Sequence, residues 1–414
     1  MSLSIAPPAG QPIRTLRGLT SYACGHTGSC CRAGWPIPVE PVPLEVLRGA
    51  ELRKTLPAPR SVPWVKAGIL GQTTTNSCVF HAPSPGGGCA VESSLGSAAL
   101  PYSCRQFPRL LLVDGRGWHM SLSAWCGTAA AMIVKGAAAQ GTSSSDDFLS
   151  FDHIQADPRV HVEGLDAHDA WPPLLRPGVL AGLGAYGRWE ARLLADFLGP
   201  VCAGEAPLPS MLASALCWTD VLRSWRQSDG ALDVLAGRAW RHPDANRLLR
   251  PEALRTSSVQ ARVLTPLLAR VPAAWRPPAW PAGLTDVDTA GEPVTRTQAE
   301  AALARYLATR LAGSWVAYQG KGLRSVAASL VYAFALAALA MDAFCDGIRQ
   351  TPTLGRLTSA IRASDWLLLH LLDRDVLAHA SSAHEAEPDA GPLLKVVAGA
   401  THLLDGLAWA RVHA

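Results

Sequence analysis

The sequence predicts a mainly α-helical protein, with a small, irregular, cysteine-rich N-terminal domain carrying one β-hairpin and a long helical body behind it. Three observations predict this. Seven of the ten cysteines fall between Cys24 and Cys126. Two apolar runs, Leu110 to Val113 and Trp118 to Ser123, flank Asp114-Gly115, which is a strong hairpin signal. Beyond the polar stretch Gly141 to Asp147, apolar residues recur at helical spacing almost to the C-terminus.

Taken in order, residues 1–20 read as an irregular lead-in, and their lack of a continuous apolar core argues against a signal peptide. Tyr22 to Trp35 is rich in glycine and small residues, a loop able to wrap closely round a ligand. The proline-dense stretch Pro36 to Pro43 is too poor in backbone donors for a central strand, and a short helix follows it, ending near Leu52. Cys78-Val-Phe-His81 precedes a turn-rich segment reaching Cys89, and the hairpin returns the chain to Cys126. Ala129 to Ala139 reads as a helix leaving this region. The body offers helices at Arg188 to Leu198, Pro209 to Trp225, Val259 to Val271, Gln298 to Gln319, Leu323 to Ile348, Leu354 to Leu372 and Pro392 to Val412. This divides the chain into a cysteine-rich domain (1–140), a helical region (141–271), a proline-rich linker (272–294) and a helical C-terminal region (295–414).

A chain of 414 residues buries ample apolar surface without covalent staples. With no signal peptide expected, the anticipated compartment is the cytoplasm, where clustered thiols are metal ligands more often than disulfides. The net charge of +4 is too small to argue for nucleic acid as a partner. The longest apolar run, Val326 to Met341, falls short of the roughly 20 residues of a membrane span.

Thiolates are soft donors, and sulfur sites select zinc or iron–sulfur clusters. Cys24, Cys30, Cys31, Cys78, Cys89, Cys104 and Cys126 are therefore the candidate metal ligands, with His26 and His81 as possible additions and His119 close by in sequence. Arg32, Arg105 and Arg109 stand beside these cysteines, and cations stabilise an anionic cluster. Cys202, Cys217 and Cys345 lie singly in apolar helical sequence and read as small core residues. Gly182-Leu-Gly184-Ala-Tyr-Gly187 fits a dinucleotide-loop pattern, yet no β-branched strand precedes it and no βα alternation surrounds it. The radical-methionine cysteine triplet, G-x-S-x-G and H-E-x-x-H are all absent. Asp146, Asp147, Asp373, Asp375, Glu385 and Glu387 are accounted for by capping and solubility.

The run Cys24-Gly-His-Thr27-Gly28-Ser-Cys30-Cys31-Arg-Ala-Gly-Trp35 resembles the opening of the YkgJ-type cysteine-cluster family of zinc- or iron-chelating proteins. Cys78-Val-Phe, Cys89, Cys104-Arg105-Gln-Phe107-Pro108 and Ser123-Ala-Trp-Cys126 follow in that family's order. A long helical tail behind the cluster is similar to flagellin lysine-N-methylases. The resemblance implies a 4Fe-4S cluster or zinc on the seven thiols, with Arg105 beside it. It further implies methyl transfer from S-adenosylmethionine to lysines of a flagellin-like protein partner. One departure stands out: Thr27 occupies the place of the family's second cysteine, which leaves His26, a water or a substrate group to complete the site. The competing expectations are a non-catalytic module stabilised by metal for protein interaction, and an iron- or redox-handling protein.

Overall fold

The computed structural model describes residues 3–5, 7–8, 10–52, 64–74, 77–82, 88–138, 148–155, 162–238, 249, 259–271, 291–346, 350–371 and 374–410. Helices make up 56% of the described residues, so the protein is mainly helical, and one mixed β-sheet runs through it. The expected linker, as far as residue 290, lies outside the described residues, as do the polar loop at 139–147, the turn at 83–87 and Asp373.

The sheet has six strands: β1 (Leu3–Ile5), β2 (Pro12–Leu16), β3 (Arg109–Asp114), β4 (Gly117–Leu122), β5 (Phe151–Gln155) and β6 (Val162–Asp166). Their order across the sheet is β1-β6-β3-β4-β2-β5. The expected hairpin is its centre, with Leu111 opposite Met120 and Asp114 opposite Gly117. β6 joins β3 and β2 joins β4 in parallel, whereas β1 and β5 close the two edges antiparallel. Two expectations are corrected here. The supposedly irregular lead-in supplies β2, and the region expected to be wholly helical supplies β5 and β6. These strands are too short and too polar to announce themselves; Phe-Asp-His-Ile-Gln is stabilised by pairing with β2 more than by any pattern of its own.

One sheet face, with Ile13, Leu111, Val113, Met120 and Leu122, belongs to a large core continuous with the helical body. Residues after the helix Arg296–Leu311 cover the other face, where Trp315 donates its indole N–H to Leu111 O at 2.9 Å. The helix expected to run from Gln298 to Gln319 breaks at Gly313, whose φ of 71° places it beside His119 where a side chain would not fit easily. Thr295 and Gln298 form a capping box at the start of that helix. The central helix, Leu323–Phe344, is surrounded by Leu208–Arg223, Leu354–Trp366, Arg374–Ser382 and Gly391–Asp405. It is long and apolar enough to cross a membrane by length and composition, and most of it is buried inside the protein. The Gly182 motif caps the helix Leu183–Arg192, preceded by a two-residue strand paired antiparallel with its neighbour, so no parallel βα unit stands there.

A second, small core gathers Cys31, Ile37, Val39, Leu47, Leu70, Cys78, Phe80, Val91 and Leu100. It meets the body at the corner leaving β4. Ser123 Oγ donates to Asp365 Oδ2 at 2.7 Å, and the backbone N–H of Trp125 reaches the same oxygen at 3.1 Å. Arg310 and Tyr306 donate to Asp365 Oδ1 at 2.9 and 3.4 Å. Because Ser123 gives its proton to Asp365, it can only accept from His370 Nε2, 2.7 Å away, which fixes that imidazole's tautomer. Trp35, packed on the small core, and Phe107, packed on the large one, flank the His370 ring at 4.5 and 5.9 Å. Trp125 donates its indole N–H to Ser29 O at 2.9 Å, Trp366 to Ala33 O at 3.0 Å, and Arg362 reaches both Ser29 Oγ and Trp125 O.

Two outcomes follow from this corner. Asp365→Ala strips four donors of their acceptor and leaves the Arg310 charge buried, a loss of about 3–5 kcal/mol to be read from chemical denaturation. Burial holds His370 at about 4, below its ordinary value, so the unfolded chain binds this proton first as pH falls. Stability drops from about pH 6.5 towards about pH 4, by up to roughly 1.4 kcal/mol per unit. In His370→Gln the part of the slope owed to this group disappears when unfolding midpoints at about pH 7 and about pH 5 are compared.

Candidate metal centre

Glycines shape the loop that carries the first thiols. Gly28 and Gly34, at φ 68° and 77°, bracket a 3-10 turn spanning Cys30–Arg32, and only glycine takes that backbone conformation without strain. The turn is tied to the next cysteine segment by the N–H of Cys78, which donates to Cys31 O at 2.7 Å. Cys89 lies in a two-residue strand opposite His81. Cys104 sits on the short helix Tyr102–Gln106, whose first N–H is held by Glu40 Oε2 at 2.9 Å.

These segments bring five thiols within electrostatic reach of one another. Cys31 shares hydrogen bonds with Cys30, Cys78 and Cys89, which lowers the pKa of Cys30 and takes that of Cys89 down to about 7. The pKa of Cys31 itself is driven far upward by the same bonds. Cys104 is pushed well up by burial, then by the neighbouring charges of Cys30, Cys78, Cys89 and Glu40. The electrostatic meaning is simple: so many sulfurs in one place cannot all ionise against each other unless a cation joins them. Arg32 is the arginine whose charge the Cys30 and Cys31 sulfurs feel, and its side chain is steadied by Thr27 O at 3.1 Å. Arg105 lies exposed on the Cys104 helix.

The other two candidates stand together at the edge of this group. Cys24 is exposed and Cys126 is buried at the corner before the helix Gly127–Ala138. Each is within electrostatic reach of the other, and Cys24 also of Cys30. Tyr22 Oη contacts Cys126 Sγ at 3.5 Å, and Arg109 lies over the Tyr22 ring. Thr27 does not face the thiols as a ligand would. Its hydroxyl meets Ser29 Oγ at 2.9 Å and its side chain packs on Gly127. His26 instead sits beside Cys24, in a left-handed backbone conformation (φ 51°) that costs a non-glycine residue on the order of 1 kcal/mol.

Among the histidines, His81 stands across from Cys89 with its pKa lowered by burial and by Arg32. His119 is away from the thiols on β4, 3.4 Å from Asp114 Oδ1. That carboxylate belongs to a buried charge group in which Arg116 bridges Asp114 and Glu190, Arg14 also reaches Glu190, and Tyr318 donates to Asp114 at 2.6 Å. Sequence reasoning missed Glu92 and Glu40 beside the cysteines. For Glu92 the only signal was its place three residues after Cys89.

All ten cysteines are free thiols. Cys202 and Cys345 are buried in the body, and burial pushes each up to about 11. Comparison of the chain with models of known protein families, with curated proteins and with solved structures finds no match. The likeness to the YkgJ-type family therefore rests on the motif residues themselves.

In chelator-treated native protein, a thiol-alkylating reagent labels Cys24 first, while Cys202 and Cys345 react only after unfolding. Peptide mass mapping over a time course checks this order.

Proposed function

We propose that this protein is a cysteine-ligated metal protein, with Cys30, Cys31, Cys78, Cys89 and Cys104 supplying the thiolates for an iron–sulfur cluster or zinc. The convergence of these five free thiols from four separate stretches of chain carries the reading. The donor set fits the group: an all-sulfur site suits zinc or iron–sulfur and disfavours hard cations. Arg32, with Arg105 on the Cys104 helix, favours a 4Fe-4S cluster over a single closed zinc, because added positive charge offsets the anionic thiolates. When bound, such a cluster supplies redox or Lewis-acid chemistry. The chain's own residues hold the sulfurs in a half-buried setting, and Cys24 and Cys126 adjoin them at the rim.

The motif likeness to flagellin lysine-N-methylases extends the proposal to methyl transfer from S-adenosylmethionine to lysines of a flagellin-like protein in the cytoplasm. That extension is supported by the motifs alone. A metal-stabilised interaction module is the second reading. It is favoured by the seam at Ser29, Trp125, Arg362 and Trp366, which fastens the small core to the body as a structural metal module requires.

Anaerobic purification with metal analysis and a visible spectrum tests the centre. Bound iron and sulfide with broad visible absorption are expected, and Cys30→Ala or Cys104→Ala loses the metal while Cys345→Ala keeps it. A colourless, zinc-loaded protein replaces the cluster with zinc, and equal metal retention by all three variants defeats the assignment. Transfer of label from S-adenosylmethionine to a cellular protein, lost in Cys104→Ala, separates enzyme from module.

A further inference from the structure

A second set of ligating side chains converges outside the five-thiol group. Cys24, His26 and Glu92 offer a thiol sulfur, an imidazole nitrogen and a carboxylate oxygen, all within 4.8 Å of one another. Cys24 and His26 are exposed and Glu92 is partly exposed, so the three face solvent. Two of them lie on the loop before Ser29, and the third is in the first turn of the helix Ala90–Leu95. His26 Nδ1 stands 3.3 Å from Glu92 Oε2. The backbone N–H of His26 points at Cys24 Sγ from 3.4 Å, which orders the loop that carries both side chains.

We infer that Cys24, His26 and Glu92 form a separate, solvent-open site for one divalent transition-metal ion, distinct from the group around Cys31. A thiolate, a neutral imidazole and a carboxylate together carry two negative charges, which one divalent ion balances. The mixture of sulfur, nitrogen and oxygen suits zinc or ferrous iron and disfavours calcium or magnesium. Bond lengths of about 2.0–2.3 Å place tetrahedral donors roughly 3.5 Å apart, a spacing the His26–Glu92 pair already meets. An ion pair between those two residues explains their own contact and leaves the adjoining thiol unexplained. Three protein ligands leave the fourth position free for water or for a donor atom of a substrate. The metal centre proposed above does not require this site, and neither depends on the other.

The test uses the full chain, purified anaerobically, treated with a mild chelator and titrated with cobalt(II) alone. Wild-type protein is expected to take up one equivalent, with a sulfur-to-cobalt charge-transfer band in the near ultraviolet. Cys24→Ser abolishes the band. His26→Ala and Glu92→Gln each weaken cobalt binding by more than the roughly 10–100-fold cost of losing an outer-shell partner. All three variants keep wild-type circular dichroism and the metal of the Cys31 group, whereas Cys104→Ala loses that metal and keeps the cobalt band. Absence of stoichiometric cobalt uptake overturns the inference. So does a band indifferent to both His26→Ala and Glu92→Gln, or loss of the Cys31-group metal in Cys24→Ser. If the Cys31 group holds no metal in any preparation, the proposed function fails while the cobalt result still decides this site.

Discussion

The corner between the hairpin and the first helix of the body is the constraint on which the arrangement depends. Within Ser123-Ala-Trp-Cys126, a hydroxyl and a backbone N–H are both spent on the buried Asp365, an indole is spent on Ser29, and a cysteine ends the turn. The large core and the loop that carries Cys30 and Cys31 both touch this one tetrapeptide. A buried carboxylate is tolerable only with its hydrogen bonds complete, so Asp365 demands that Ser123, Trp125, Tyr306 and Arg310 stay in place together. Sheet, helices and cysteine loop are registered against one another through that demand.

The thiols pose the opposite problem. Asp365 is over-supplied with donors, whereas among the described residues the sulfurs around Cys31 meet each other, Arg32, the carboxylates Glu40 and Glu92 and a few backbone groups. Their mutual influence splits their acidities, with Cys31 driven up while Cys30 and Cys89 are lowered, as in any tight group of like ionisable sites. Protons satisfy such a group poorly, since a thiol is a weak donor. Glycine conformations and several loop contacts assemble the segments that carry it.

How much of this was legible in the sequence differs by element. The hairpin was plain, because Asp114-Gly115 sits between two apolar runs. Long helices such as Leu323–Phe344 were plain from composition and period. β2, β5 and β6 were not, because each is five residues long and finds its partner far along the chain, which no local pattern records. The cysteines announced themselves through their spacing, and the five that meet came from the segments the motifs marked. What the spacing could not tell was that Cys24 turns towards Glu92, or that Thr27 packs on Gly127 with its hydroxyl on Ser29. Ser123, Asp365 and His370 were equally hidden: their separations of 242 and 247 positions leave nothing for a linear reading to detect.

The seam is built largely from indoles. Trp35, Trp125 and Trp366 all lie where the small core meets the body, with the last two 6.0 Å apart. Tryptophan emission is sensitive to such surroundings, and a coloured centre nearby would drain it by energy transfer. Were the proposed cluster bound, these rings would serve as an optical gauge: their brightening on oxidation or chelation would track the state of the cysteine loop without any added dye.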